Sequence, residues 1–289
     1  MKISEQFYSI QGEGYHTGVP SYFIRFFGCS LQCQGFGQKN PADPTTWVQP
    51  WKTIDIKSID KIEDLPEQVY EYGCDSVYSW SAKFKHLQHE MTVEEVVEKM
   101  KQDLGDKFDL LLLGKIHLIF TGGEPLMKFN QPAMAEIINH LIHNYDARLS
   151  VTIETNGTQF MDKELENVFL VLPIELTISC SPKLLHTSGE QPEKAIKPDV
   201  VDSLMTIADF RILKFVVSNT DEAKSELLET VKIMTDCTLF EPFVYLMPEG
   251  PNKHRVEDSS TVIAEFAMQH GYRFSDRLHA RLWDNKIGV

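Results

Sequence analysis

No run of apolar residues in this chain is long enough to cross a bilayer. The longest, Leu110–Leu113 and Leu118–Phe120, fall far short of the roughly 18 residues a span needs. Basic charge is also scarce: 28 Lys plus Arg stand against 42 Asp plus Glu, a net charge of −14. That balance excludes a broad footprint on a phosphate backbone, so nucleic acid is not an expected partner. A small basic pocket for an anionic metabolite remains compatible with it. The opening MKISEQFYSIQGEGY lacks a basic head followed by an apolar stretch, so no secretory leader is expected and the expected compartment is cytoplasmic. Cysteine is sparse, five in 289 residues, and is expected to stay reduced there. Closely spaced reduced cysteines point to a metal or redox role before a disulfide. Low-complexity tracts and internal repeats are missing as well. What is present is an ordinary globular composition, 42% hydrophobic and 24% charged. A chain of this length buries about 75% of its unfolded surface and folds without covalent or metal staples.

The apolar pattern alternates between strand and helix. PSYFIRFF (20–27), KIHLIFT (115–121) and RLSVTIET (148–155) read as strands, with further strands at 174–179, 211–217 and 242–247. Thr92 opens a helix with Glu95 placed to complete a capping box. Val93, Val96, Val97, Met100 and Leu104 follow on one face. A second amphipathic helix runs through Met134, Ile137, Ile138, Leu141, Ile142 and Tyr145, and others are expected at 199–207, 221–236 and 257–270. This alternation predicts an α/β fold with a parallel sheet, and the apolar strands read as covered by helices on both faces. Residues 34–73 break the rhythm. They carry Gly35, Gly37, Pro41, Pro44, Pro50 and Pro66, yet also Trp47 and Trp51, which are expected to be buried in an ordered insertion packed on a single domain.

Several motifs fall at predicted strand ends, where ligands bind in parallel α/β sheets. Cys29 and Cys33 form C-x3-C just after the first buried strand. Thiolates so placed suit iron–sulfur or zinc ligation, and two buried apolar cysteines are the plain alternative. Cys74, within Gly73-Cys74-Asp75-Ser76, is a candidate third partner far along the chain. Thr121-Gly122-Gly123-Glu124-Pro125 offers paired glycines that admit close approach to the backbone, or forms an ordinary turn. Glu154-Thr155-Asn156-Gly157 and Ser181-Pro182-Lys183 end the next two strands. Polar groups from several strand ends converge on one pocket in barrel-like folds. Arg25, between Phe23, Ile24, Phe26 and Phe27, needs an anionic partner, either a ligand carboxylate or phosphate or an internal salt bridge.

Taken in order, FYSIQGEGYHTGVPSYFIRFFGC, TGGEP, ETNGT, SPK, LKFVV and RLHARLWDNKIGV resemble the radical S-adenosylmethionine enzymes and, among them, the 7-carboxy-7-deazaguanine synthases. The resemblance runs nearly end to end. It departs at the cysteines. The superfamily pattern is C-x3-C-x2-C, and Phe36 stands where the third Cys belongs. Cys74-Asp75-Ser76-Val77-Tyr78-Ser79-Trp80 resembles the segment around that third cysteine, as if an insertion had displaced it from position 36 to position 74.

The resemblance implies a partial (β/α)6-type radical-SAM barrel with an insertion in the cluster loop. It implies that Cys29, Cys33 and Cys74 hold a [4Fe-4S] cluster whose open iron chelates S-adenosylmethionine. Reductive cleavage would give a 5′-deoxyadenosyl radical that abstracts hydrogen from 6-carboxy-5,6,7,8-tetrahydropterin. Ring contraction would then yield 7-carboxy-7-deazaguanine, a 7-deazapurine precursor of the queuosine type, with loss of ammonia. By matching positions, Ile10, Gln11, Gly12, Arg25 and Thr121 would hold the pterin. Gly123, Glu124, Ser181, Pro182 and Lys183 would hold S-adenosylmethionine, and Ser76 a magnesium ion. A flavodoxin-type electron donor and a homodimer are implied partners. Two rivals remain at this point, an activase that installs a glycyl radical on a protein and a non-catalytic zinc protein.

Overall fold

The computed structural model describes residues 1–250, 252–284 and 286–288. Among the described residues nine strands form one sheet: β1 (Lys2–Ile10), β2 (Pro20–Phe26), β3 (His89–Glu90), β4 (His117–Gly122), β5 (Leu149–Thr155), β6 (Ile174–Cys180), β7 (Phe210–Val217), β8 (Phe243–Pro248) and β9 (Arg273–Phe274). Their spatial order is β3-β1-β2-β4-β5-β6-β7-β8-β9. From β2 to β9 every neighbouring pair is parallel, whereas β1 runs antiparallel to both β2 and β3.

Strand parity divides the sheet into two unlike faces. Tyr22, Ile24 and Phe26 of β2, Leu118 and Phe120 of β4, Val151 and Ile153 of β5 and Leu213 and Phe215 of β7 enter the main hydrophobic core. That core also takes the inward stripes of the helices Val93–Leu104, Gln131–Tyr145 and Asp221–Cys237. The alternate residues, Arg25, Thr121, Glu154, Ser179 and Lys214, face a cavity enclosed by the curled sheet. Helices on both faces were expected. Instead one face carries the helices and the other wraps the cavity, which is why β2, β4, β5, β6 and β7 set polar or charged residues at positions alternating with apolar ones. This is a partial radical-SAM-type barrel.

The capping box at Thr92 is present, with both the Thr92 side chain and the Glu95 side chain engaged. Among the elements not anticipated are strand β1, the helix Lys163–Val171 capped by Asp162, and the two-residue β9. The last long helix begins at Lys253, earlier than the apolar spacing suggested, because Asn252 caps it through the Arg255 amide.

Residues 37–73 leave and rejoin the cysteine loop at adjacent points. The Gly73 amide donates to the Phe36 carbonyl at 2.8 Å. Between those points the backbone makes short 3-10 turns, at Pro44–Thr46, Pro50–Lys52, Ile62–Asp64 and Glu67–Val69. A second hydrophobic cluster, centred on Trp51, Ile62, Val69, Tyr78 and Phe84, supports them. The Trp51 indole donates to Gln34 Oε1 at 2.8 Å and is buried. Trp47, expected to be buried too, is half-buried and donates to the Asn40 and Pro41 carbonyls.

Candidate active site

The cavity inside the barrel measures about 340 Å³, the scale of a small-molecule site. The carboxyl ends of the parallel strands, the cysteine loop and the C-terminal tail all contribute walls. Cys29, Cys33, Cys74 and Ser76 line one side, and Gly123, Ser181 and Lys183 continue it. Ile10, Gln11, Gly12, Arg25 and Thr121 line the remainder. Of the residues singled out from sequence, Glu124 and Pro182 are buried behind this wall.

Cys29 and Cys74 both pack against the small cluster of Leu31, Cys33 and Ala195. Cys74 reaches this place because Gly73 is tied to Phe36, so the residue after the excursion stands where the chain left. Cys180 lies in the main core, and Cys237 is the exposed last residue of its helix. Burial pushes the Cys29 thiol up to about 12, with Glu124 adding to the shift, and the Cys74 thiol up to about 11, with Asp75 adding to it. Cys33 is raised well above the usual thiol range, again chiefly by burial. Three soft sulfur donors in one low-dielectric wall suit an iron–sulfur group, whose cationic irons stabilise thiolates. Among the described residues no three His, Cys, Asp or Glu side chains converge as ligands of a single ion. A cluster does not require that convergence, because each thiolate takes a different iron.

The Gly-Gly turn serves this loop. A Cβ on Gly123 would lie 2.4 Å from the Gly28 carbonyl oxygen and 2.8 Å from Cys29 Cβ. The backbone approached so closely is that of the cysteine loop itself. Glu124 accepts from the Asn156 amide and the Thr155 hydroxyl at 2.7 Å and from the Leu126 amide at 3.0 Å. Its carboxylate therefore ties β4 to β5, and burial raises its pKa. Lys183 Nζ donates to Ser181 Oγ at 2.9 Å on the cavity wall.

Arg25 has an internal anion. Its Nε donates to Glu5 Oε1 at 2.6 Å across the β1–β2 pair, and Tyr78 Oη donates to the same oxygen at 2.8 Å. Nη1 lies 3.3 Å from Ser76 Oγ, which also donates to Asp75 Oδ1 at 3.2 Å. Next along the sheet, Glu154 accepts from Gln11 Nε2 at 3.0 Å and from Thr121 Oγ1 at 2.8 Å.

A charged chain closes the other side, and of its members Lys214 and Arg277 were missed from sequence. Glu13 meets Lys214 at 2.5 Å and Arg277 at 3.2 Å, and Arg277 reaches Asp75 at 2.8 Å. Burial works to raise the Glu13 carboxyl, but Lys214, Arg277 and His279 together hold it well below the usual carboxylate range. Lys214 sits within the apolar strand ILKFVV, so the reasoning applied to Arg25 would have found it. The tail docks here: the Leu278 amide donates to the Gly12 carbonyl at 2.9 Å, and a Cβ on Gly12 would lie 2.2 Å from His279 Nδ1. Any side chain at position 12 would have to displace the His279 ring.

A partial parallel barrel with three cysteines at the wall of its cavity is the arrangement that the resemblance to radical S-adenosylmethionine enzymes implied. No family model matches it. It is 29% identical to 7-carboxy-7-deazaguanine synthase of Halobacterium salinarum over 99% of this chain and 91% of that one. It is 27% identical to the enzyme of the same name from Pyrobaculum aerophilum, over 100% and 97%. The fold is that of QueE from Escherichia coli, with a TM-score of 0.54, 20% identity, and 96% and 94% of the two chains covered. Over nearly its whole length the chain is thus similar to 7-carboxy-7-deazaguanine synthases. Among the described residues no helix is long and apolar enough to cross a membrane.

Proposed function

We propose that this chain converts 6-carboxy-5,6,7,8-tetrahydropterin to 7-carboxy-7-deazaguanine, with Cys29, Cys33 and Cys74 as ligands of a [4Fe-4S] cluster. The observation that carries the ligand assignment is the Gly73–Phe36 hydrogen bond, which returns Cys74 to the cysteine loop at the cavity wall. Relatives of the synthase name along the full length favour this reaction over glycyl-radical activation. When bound, the cluster and S-adenosylmethionine supply one-electron radical chemistry. On this reading residues 34–73 are an insertion within one domain, carrying the third ligand at its far end.

The chain's own groups bind and orient. Gly123, Ser181 and Lys183 face the place beside the thiols where S-adenosylmethionine would lie. Glu124 and Pro182 act from behind that wall, and Glu124 fixes the β4 and β5 ends. Arg25 keeps its Nε on Glu5 and has its terminal nitrogens for the pterin carboxylate, where a planar fork suits two oxygens. Glu154 holds Gln11 and Thr121 in place, so their remaining polar groups, with the backbone of Ile10 and Gly12, are fixed for the pterin ring. Ser76 and Asp75 offer adjacent oxygens for a magnesium ion that keeps part of its water shell. A flavodoxin-type electron donor, a homodimer and a cytoplasmic setting belong to the same reading, and the five unpaired cysteines fit that setting.

The test is iron content and anaerobic absorbance of cysteine variants. Cys74→Ala is expected to lose the cluster and all S-adenosylmethionine cleavage, while Cys237→Ala keeps both. A Cys74→Ala protein that assembles an active cluster refutes the ligand assignment.

A further inference from the structure

The stretch between the second cysteine and Phe36 makes no helix or strand, and Cys33 is held at φ 52°, a left-handed conformation that is unfavourable for a non-glycine residue. Something must hold it. Successive backbone amides in such a turn form a concave anion site. Here its occupant comes from the chain itself. Glu190 Oε1 accepts from the Gln32 amide at 2.6 Å and the Cys33 amide at 2.7 Å. Its other oxygen meets Lys194 Nζ at 3.3 Å. Two residues before it, the Ser188 carbonyl accepts from the Gly35 amide at 2.8 Å. The Glu190 side chain is 9% exposed. The turn that follows β6 and carries Ser181 and Lys183 thus reaches on to clamp the cysteine loop from the side away from the cavity.

We infer that Glu190 is a positioning residue for the cluster: it fixes the backbone that aims Cys33, and it sets a negative charge one hydrogen bond away from a ligand. This rests on the reading that Cys29, Cys33 and Cys74 hold a [4Fe-4S] cluster. Two consequences separate. The acceptor oxygen decides how firmly the loop keeps its shape, hence how firmly iron is held. The charge decides the reduction potential, because a nearby anion disfavours adding an electron to the cluster.

Two substitutions in the full-length, reconstituted protein divide these roles. Glu190→Gln retains Oε1 as an acceptor and removes the charge; Glu190→Ala removes both. With a chelator, Glu190→Ala is expected to lose iron about tenfold faster than the parent, the scale seen when an outer-shell partner is removed. Glu190→Gln is expected to lose iron at the parental rate and to show a less negative midpoint potential in a redox titration followed by electron paramagnetic resonance. A merely structural Glu190 would not move that potential. Melting curves of the metal-free chains report folding, and if Glu190→Ala does not fold, the near-isosteric Gln variant decides by its potential. Parental iron release in a folded Glu190→Ala protein, or an unchanged potential in Glu190→Gln, overturns the inference. A parent chain that takes up no iron overturns the underlying reading and the inference with it.

Discussion

Glu13 offers the most direct check on the charged side of the cavity. Its carboxylate lies between Lys214 at 2.5 Å and Arg277 at 3.2 Å, and all three side chains are at most 14% exposed. In Glu13→Gln the volume is kept and the charge is lost. Removing one partner of a buried ion pair costs roughly 3–5 kcal/mol, because the other charge stays desolvated. Arg277 retains Asp75, so the loss falls mainly on Lys214 and the lower bound, about 3 kcal/mol, applies. At about 2–4 °C per kcal/mol for a chain somewhat smaller than this one, that is a fall in Tm of roughly 6–12 °C. The pH dependence adds a sign. A carboxyl whose folded pKa is depressed contributes stability that is fully present above its unfolded pKa, near 4.5, and fades as pH falls toward the folded value. The gap in Tm between parent and variant should therefore be constant above about pH 6 and narrow steadily below about pH 4.5. Thermal melts followed by circular dichroism at a series of pH values measure both. A loss under about 1 kcal/mol, or a gap that ignores pH, would refute the account of Glu13 as the anion that holds Lys214 and Arg277.

Arg25→Lys keeps a charge but gives up the Nε bond to Glu5 and the planar fork; pterin binding is expected to weaken about tenfold with S-adenosylmethionine cleavage intact, and unchanged pterin binding contradicts the assignment. Trp51→Ala should cost about 3–5 kcal/mol within the second hydrophobic cluster and open residues 37–73 to limited proteolysis, leaving the main core's melting unaltered. Parental resistance to protease would show that Trp51 does not support that segment.

Much of the fold was legible because helices and strands announce themselves by period. The capping box at Thr92 fixed a helix start to the residue, and all six strands read from the apolar pattern were bounded within two residues. The curl of the sheet was less legible. Arg25 and Lys214 each interrupt an apolar strand, and both turn inward; given weight together, they mark one polar face and argue against helices on both sides. Residues 37–73 have no period to read, since their turns are short and their cohesion comes from scattered aromatic and aliphatic side chains. The sequence left the partner of Arg25 open between a ligand and an internal salt bridge; Glu5 supplies an internal one, which could not be named because β1 was not seen as a strand beside β2. Glu190, in SGEQPEK, looks like any solvated loop acid; its role arises from a tertiary approach that no local pattern records.

The joined ends of residues 37–73 also bear on the order in which the molecule assembles. Bringing Cys74 to Cys33 as two points on a free chain would require closing a long loop, at about 0.6 kcal/mol for each doubling of length. The second hydrophobic cluster changes the problem, since its members from Trp51 to Leu87 are near one another in sequence and make local contacts that form quickly. Once they condense and Gly73 bonds to Phe36, the chain between the two cysteines is kinetically short. The thiols then meet as they would on a tight loop. Lengthening the excursion at an exposed turn such as Pro44–Thr46 would leave the rate of that meeting nearly unchanged.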